Sequence, residues 1–91
     1  MSTVTRPCAQ ANVVFRRLAD EEWALFDPVA HHLHTLNLSA AVVWEYCDGT
    51  RSIDEVTTVV REAFGTVPGT TRDDVSRLVD WFVAQGLMTW T

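Results

Sequence analysis

Three histidines stand close together, His31, His32 and His34. If they lie on a strand, His32 and His34 share one face, roughly 6.6 Å apart along it. Zinc takes three or four ligands, and Asp27, the nearest further donor in sequence, would have to fold back across a turn to add one. The reading is therefore solvated or partly packed imidazoles, and no metal. Nothing around them spaces a Ser, Cys or Asp as a nucleophile with its base. The acids make no catalytic pair either. Asp54, Glu55, Asp73 and Asp74 fall in predicted first turns of helices, where the helix dipole favours negative charge. There is no glycine-rich phosphate loop and no metal-binding Cys/His spacing. Cys47 sits in an apolar run and reads as a small buried hydrophobe. Cys8 has no neighbouring base in sequence and reads as an incidental thiol. The expectation is a chain that is not an enzyme and needs no cofactor.

Charge narrows the partners. The 91 residues carry seven Arg, no Lys and a net charge of −5. Nucleic-acid phosphates demand clustered cations, so a nucleic-acid partner is disfavoured. No apolar run approaches the roughly 20 residues of a membrane span. The N-terminal residues have no apolar core of a secretory signal, which makes the cytoplasm the expected location and excludes a membrane partner.

The elements that must position any site follow in order. Residues 1–11 show no periodicity and read as a flexible N-terminal arm, leaving 12–91 as a single domain. Residues 13–18, 22–27 and 32–36 read as strands rich in β-branched and aromatic side chains. Asp27-Pro28 opens the turn between the second and third, whose short connection implies an antiparallel hairpin. The stretch from Leu36 to Gly49 is apolar on nearly all sides, with Asn37 as its cap and Gly49 as its left-handed stop. Such a helix is buried nearly all round and forms the hub of the fold. A second helix is predicted over 53–64, opened by the capping box of Ser52 and Glu55, with Ile53, Val56, Val60 and Phe64 on one stripe. Residues 65–70 form a Pro/Gly loop. A third helix runs over 72–85, capped by Thr71, with Val75, Leu78, Val79, Phe82 and Val83 as its apolar stripe. Gly86 stops it, and 87–90 form a short extended end. Strands followed by helices indicate an α+β domain, with a three-stranded antiparallel sheet preceding three helices in a winged-helix-like order.

Two features point to a binding surface. The third strand is the expected sheet edge, and it carries no Lys or Pro to discourage a further strand from pairing. Its His32 and His34, or its Leu33 and Thr35, would wall the adjacent groove, according to register. On the third helix Trp81 lies off the core stripe, beside Asp74, Leu78 and Gln85. It either widens the buried face or stands at the margin of a groove, as an aromatic anchor for a peptide does.

The pattern W-x-L-F-D at 23–27, then L-N-x-S-A-A-x-V-W-E-x-C-D-G at 36–49, S-I-D-E-V at 52–56, D-D-V-x-x-L-V at 73–79 and Q-G-L at 85–87 resembles the PqqD family. The resemblance implies a winged-helix-like recognition element for ribosomally made, modified peptides. It implies that the leader of a precursor peptide adds as a strand to the third strand and lies against the third helix. The residues concerned would be His32, Leu33, His34, Thr35 and Leu36, with Asp74, Leu78, Trp81 and Gln85. It also implies a modifying enzyme as second partner, a leader peptidase or a radical SAM enzyme, and the spacing looks closer to the lasso-peptide type. The family often has Gly four residues after the Asp, where this chain has His31. The turn then either avoids a positive φ or relies on His, which tolerates one better than most residues. The rival reading is a winged-helix DNA-binding or regulatory module with the third helix as its reader. Against it, Arg72 and Arg77 are outweighed by Asp73, Asp74 and Asp80.

Overall fold

The computed structural model describes residues 5–65 and 71–91, apart from the Phe64 side chain. The order is β1 (Pro7–Ala9), β2 (Val14–Ala19), β3 (Glu22–Asp27), β4 (His32–Leu36), α1 (Leu38–Tyr46), α2 (Ile53–Phe64), α3 (Arg72–Ala84) and β5 (Met88–Trp90). The fold is α+β, with the antiparallel sheet β2-β3-β4 leading into three helices. The predicted Pro/Gly loop lies almost wholly outside the described residues.

The β3–β4 hairpin is closed by local chemistry. The Asp27 carboxylate accepts the N–H groups of Val29 at 2.9 Å and Ala30 at 3.2 Å. Asp side chains make such bonds with the backbone two and three residues on, which fixes the turn. His31 then takes φ 56°, the only positive φ at a non-glycine among the described residues. The turn therefore keeps the left-handed step and makes it with histidine. The register that follows pairs Trp23 with Leu36, Leu25 with His34 and Asp27 with His32, without a break.

Asn37 caps α1, accepting the Ala40 N–H at 3.0 Å. The helix is as buried as its composition demands: Ala40, Ala41, Val42, Val43 and Trp44 all lie in the core with Cys47. Val56 and Val60 of α2, Val75, Val79 and Phe82 of α3, and Leu25 of β3 close around it. Both predicted caps form complete boxes. The Ser52 and Thr71 hydroxyls accept the N–H groups of Glu55 and Asp74, whose carboxylates accept the cap N–H groups in return.

The structure corrects two readings. First, the N-terminal arm is not featureless. Pro7–Ala9 pairs antiparallel with β5 in a second, two-stranded sheet, and Thr91 and Arg6 exchange backbone hydrogen bonds at its end. Three residues give too little alternation to read as a strand, and their partner lies at the other end of the chain. Second, Gly49 does not stop α1. The helix closes at Cys47, whose N–H donates to Trp44 O at 3.2 Å. Gly49 has φ 87°, but its work is tertiary: its N–H donates to Pro7 O at 3.0 Å, and an added Cβ would sit 3.2 Å from Cys8 Sγ. The glycine is there because β1 lies across it.

Candidate functional site

Both outer strands of the three-stranded sheet have a free edge among the described residues, and the two edges differ. β2 carries Arg16 and Arg17, and its register slips between Arg17 and Ala19, leaving Leu18 bulged. Arg17 is folded over the Trp23 ring and paired with Asp20 at 3.2 Å. Charges and a bulge are the usual means of discouraging further pairing. β4 has neither. Its five residues are regular and unbulged, with two imidazoles, one hydroxyl and two leucines.

Register decides which side chains face the helices. Cross-strand partners share a face. His34 lies opposite the fully buried Leu25, so His32, His34 and Leu36 point to the helix side. Leu33 and Thr35, opposite Phe26 and Ala24, point to the other side. Of the two arrangements open in the sequence, it is the histidines that face the helices.

The helix side of β4 meets α3 through aromatic rings. His32 lies edge-on to His34, centroids 6.0 Å apart, and His34 lies edge-on to Trp81 at 5.4 Å. Trp81 in turn contacts Phe82 at 5.4 Å, and Phe82 contacts Trp44 of α1 at 5.2 Å. Edge-to-face pairs at these distances are favourable beyond simple burial. Trp81 is 39% exposed whereas Phe82 is fully buried. The indole thus has one side on the core and the other exposed beside β4.

The remaining predicted residues divide. Leu78, one turn before Trp81, is half-buried against the core, and Gln85, one turn after, is exposed at the helix end. Leu36 is buried, so its side chain is not available to a ligand. Asp74 is engaged in starting α3. Its carboxylate accepts the Thr71 hydroxyl at 2.7 Å and the Thr71 N–H at 3.3 Å, and these bonds hold its pKa below the ordinary value. Sequence spacing placed Asp74 beside Trp81 on the helix but could not weigh that competing duty.

Burial pushes the Cys47 thiol up to about 12, so it stays protonated and unreactive at neutral pH. Among the described residues no cluster of three or more His, Cys, Asp or Glu could hold a metal ion, and no helix is long and apolar enough to cross a membrane.

Comparison with known proteins places the fold and the family. No curated protein matches the sequence. The fold is similar to that in the structure of TbiB1 in complex with the TbiA(β) leader peptide, at TM-score 0.71 and 14% identity, over 89% of this chain and 93% of that one. It is also similar to part of the heterocyclase TruD, at TM-score 0.65 and 14% identity, over 96% of this chain but only 12% of that one. Residues 22–88, from the start of β3 to the start of β5, match the family model of coenzyme PQQ synthesis protein D, and the chain belongs to that PqqD family.

Proposed function

We propose that this chain is a non-catalytic, cytoplasmic recognition domain for the leader of a ribosomally made precursor peptide, which it presents to a modifying enzyme. The leader adds as a strand along the free edge of β4 and lies against α3. The observation that carries this reading is the asymmetry of the sheet. Its β2 edge is guarded by arginines and a bulge, while the β4 edge is regular, carries no Arg, Lys, Asp or Glu between Leu33 and Leu36, and is flanked by the half-exposed Trp81. Backbone pairing supplies affinity in this mode, and pockets for alternate side chains supply specificity. The likeness to a chain solved with a leader peptide supports recognition of a leader by this fold.

The DNA-binding alternative has less support. Arg72, at the start of α3, is paired with Asp54 of α2. That leaves Arg77 among Asp73, Asp74 and Asp80, a poor surface for phosphates.

Titration of the labelled chain with the leader of the precursor encoded beside it, followed by amide NMR, tests the reading. The expected shifts concentrate on residues 31–37 and 74–85. Shifts along 14–19 instead, or a salt-dependent complex with duplex DNA and none with the leader, would overturn it.

A further inference from the structure

The face of the sheet turned away from the helices carries an apolar row left partly exposed among the described residues. Val14 pairs with Phe26 and Phe26 with Leu33, so the three side chains run side by side across all three strands. They are 37%, 37% and 63% exposed, and Val29 in the adjoining hairpin turn is exposed as well. The open face of an antiparallel sheet is ordinarily polar. The flanking row obeys that rule, since the small buried Ala24 lies between Arg16 and Thr35. The Val14–Phe26–Leu33 row does not.

We infer that this row is a second docking surface, for the enzyme that processes the bound peptide. The inference rests on the strand-addition reading above. The row ends at Leu33, on the same strand that would receive the peptide. A strand paired to β4 sets one of its outward side chains directly beside Leu33. The apolar face therefore lengthens by one residue when peptide is bound.

Size argues for this occupant over a second copy of the chain. The exposed row amounts to a few hundred Å² at most, on the order of the largest patch of an ordinary monomer. A stable complex needs roughly 800 Å² from each partner. The row alone is too small for a lasting dimer. It suits a transient partner that also touches the added strand and so distinguishes the loaded domain from the empty one. That partner is the protein whose substrate is the peptide. In the heterocyclase that shares this fold, the similar region is 12% of a much longer chain, so the fold is compatible with direct attachment to an enzyme.

The test uses the double variant Val14→Thr/Phe26→Thr, which keeps β-favouring residues, lies away from the β4 edge and can be checked for folding by circular dichroism. Fluorescence polarisation with the labelled leader reports strand addition. Turnover of the full precursor by the modifying enzyme of the same gene cluster reports docking. The expected result is leader affinity within twofold of wild type and turnover reduced at least tenfold. Unchanged turnover overturns the inference, as does sedimentation showing that wild type is a dimer dissolved by the substitutions. Failure of wild type to bind the leader would instead remove the reading beneath it, and the inference with it. Should the double variant not fold, Val29→Asp carries the same expectation and is overturned by the same outcomes.

Discussion

The imidazole of His34 stands at 89° to the indole of Trp81, with ring centroids 5.4 Å apart. One ring belongs to an edge strand and the other to the last helix. Their contact joins β4 to α3 on the helix side of the sheet. It also ties β4 to the core, because Trp81 leans on Phe82 and Phe82 on Trp44.

Neighbouring residues on α3 should therefore separate binding from stability. Trp81→Ala removes a ring that is 39% exposed, so its stability cost is about 1–2 kcal/mol. If Trp81 anchors the leader, affinity falls by about 2 kcal/mol or more, roughly 30-fold. Phe82→Ala empties a fully buried site and costs about 3–5 kcal/mol, enough to unfold much of so small a domain. Urea melts and leader titrations on the two variants check this. A Trp81→Ala protein that binds the leader as tightly as wild type would remove Trp81 from the site.

The hairpin turn gives an independent prediction. His31 holds φ 56°, which costs a non-glycine residue roughly 1–2 kcal/mol. Glycine relieves that cost but adds about 0.5–1 kcal/mol of unfolded-state entropy. His31→Gly should leave stability unchanged or raise it by up to about 1 kcal/mol. His31→Val, with a β-branched side chain in the left-handed region, should lower it by about 1–2 kcal/mol. Because Asp27 and His31 together fix the β4 register, the valine variant should also weaken leader binding. Denaturation midpoints ordered with valine above histidine would show that the turn does not carry the strain assigned to it.

How far the sequence revealed these parts depends on how local each signal is. The Asp27 turn, the Asn37 cap and the Ser52–Glu55 box rest on contacts within a few residues, and all three appear where their patterns place them. The α3 stripe was legible for the same reason. The pairing of β1 with β5 was not, because it joins the two ends of the chain and uses three-residue strands. Gly49 suggests a helix stop because a left-handed glycine after an apolar run is the commonest local explanation. Its partner Cys8 is distant in sequence and carries no signal. At the site, Trp81 stood out by its angle on the helix. The choice between His32 and His34 or Leu33 and Thr35 needed the β3–β4 register, which a one-residue slip would have reversed.

Helix caps should dominate the acid response. Hydrogen bonds from Thr71 to Asp74, from Ser52 to Glu55 and from Thr50 to Asp48 hold these three carboxyls below their ordinary values. A group whose pKa is lower in the folded state contributes stability above its unfolded value and loses it as pH falls through the folded one. Stability should therefore be flat near neutrality and decline below about pH 4, the ordinary carboxylate range. Thr71→Ala removes one cap, costs about 1 kcal/mol near neutral pH and makes the acid decline shallower. Urea midpoints measured from pH 7 to pH 3 check both parts. Parallel curves for wild type and Thr71→Ala would mean that the Asp74 bond does not shape the acid limb.

Gly49 supports a last prediction, on how β1 is held. Its φ of 87° costs any residue with a Cβ roughly 1–2 kcal/mol, and the new carbon would lie 3.2 Å from Cys8 Sγ and 3.3 Å from Cys8 Cβ. Alanine gains about 0.4–1 kcal/mol from a stiffer unfolded chain, which does not offset both penalties. Gly49→Ala should destabilise by about 1–2 kcal/mol and loosen β1 from β5, seen as faster amide exchange at Ala9 and Gln10, whose N–H groups donate to Cys47 O and Leu87 O. Gly86, at φ 75°, has open space where its Cβ would be, so Gly86→Ala pays only the backbone part. The difference between the two variants isolates the contact with Cys8. Removing the sulfur should shrink that difference, so Cys8→Ala in the Gly49→Ala background costs less than in wild type. Equal losses for Gly49→Ala and Gly86→Ala, with no coupling to Cys8, would mean that β1 does not depend on the close approach across Gly49.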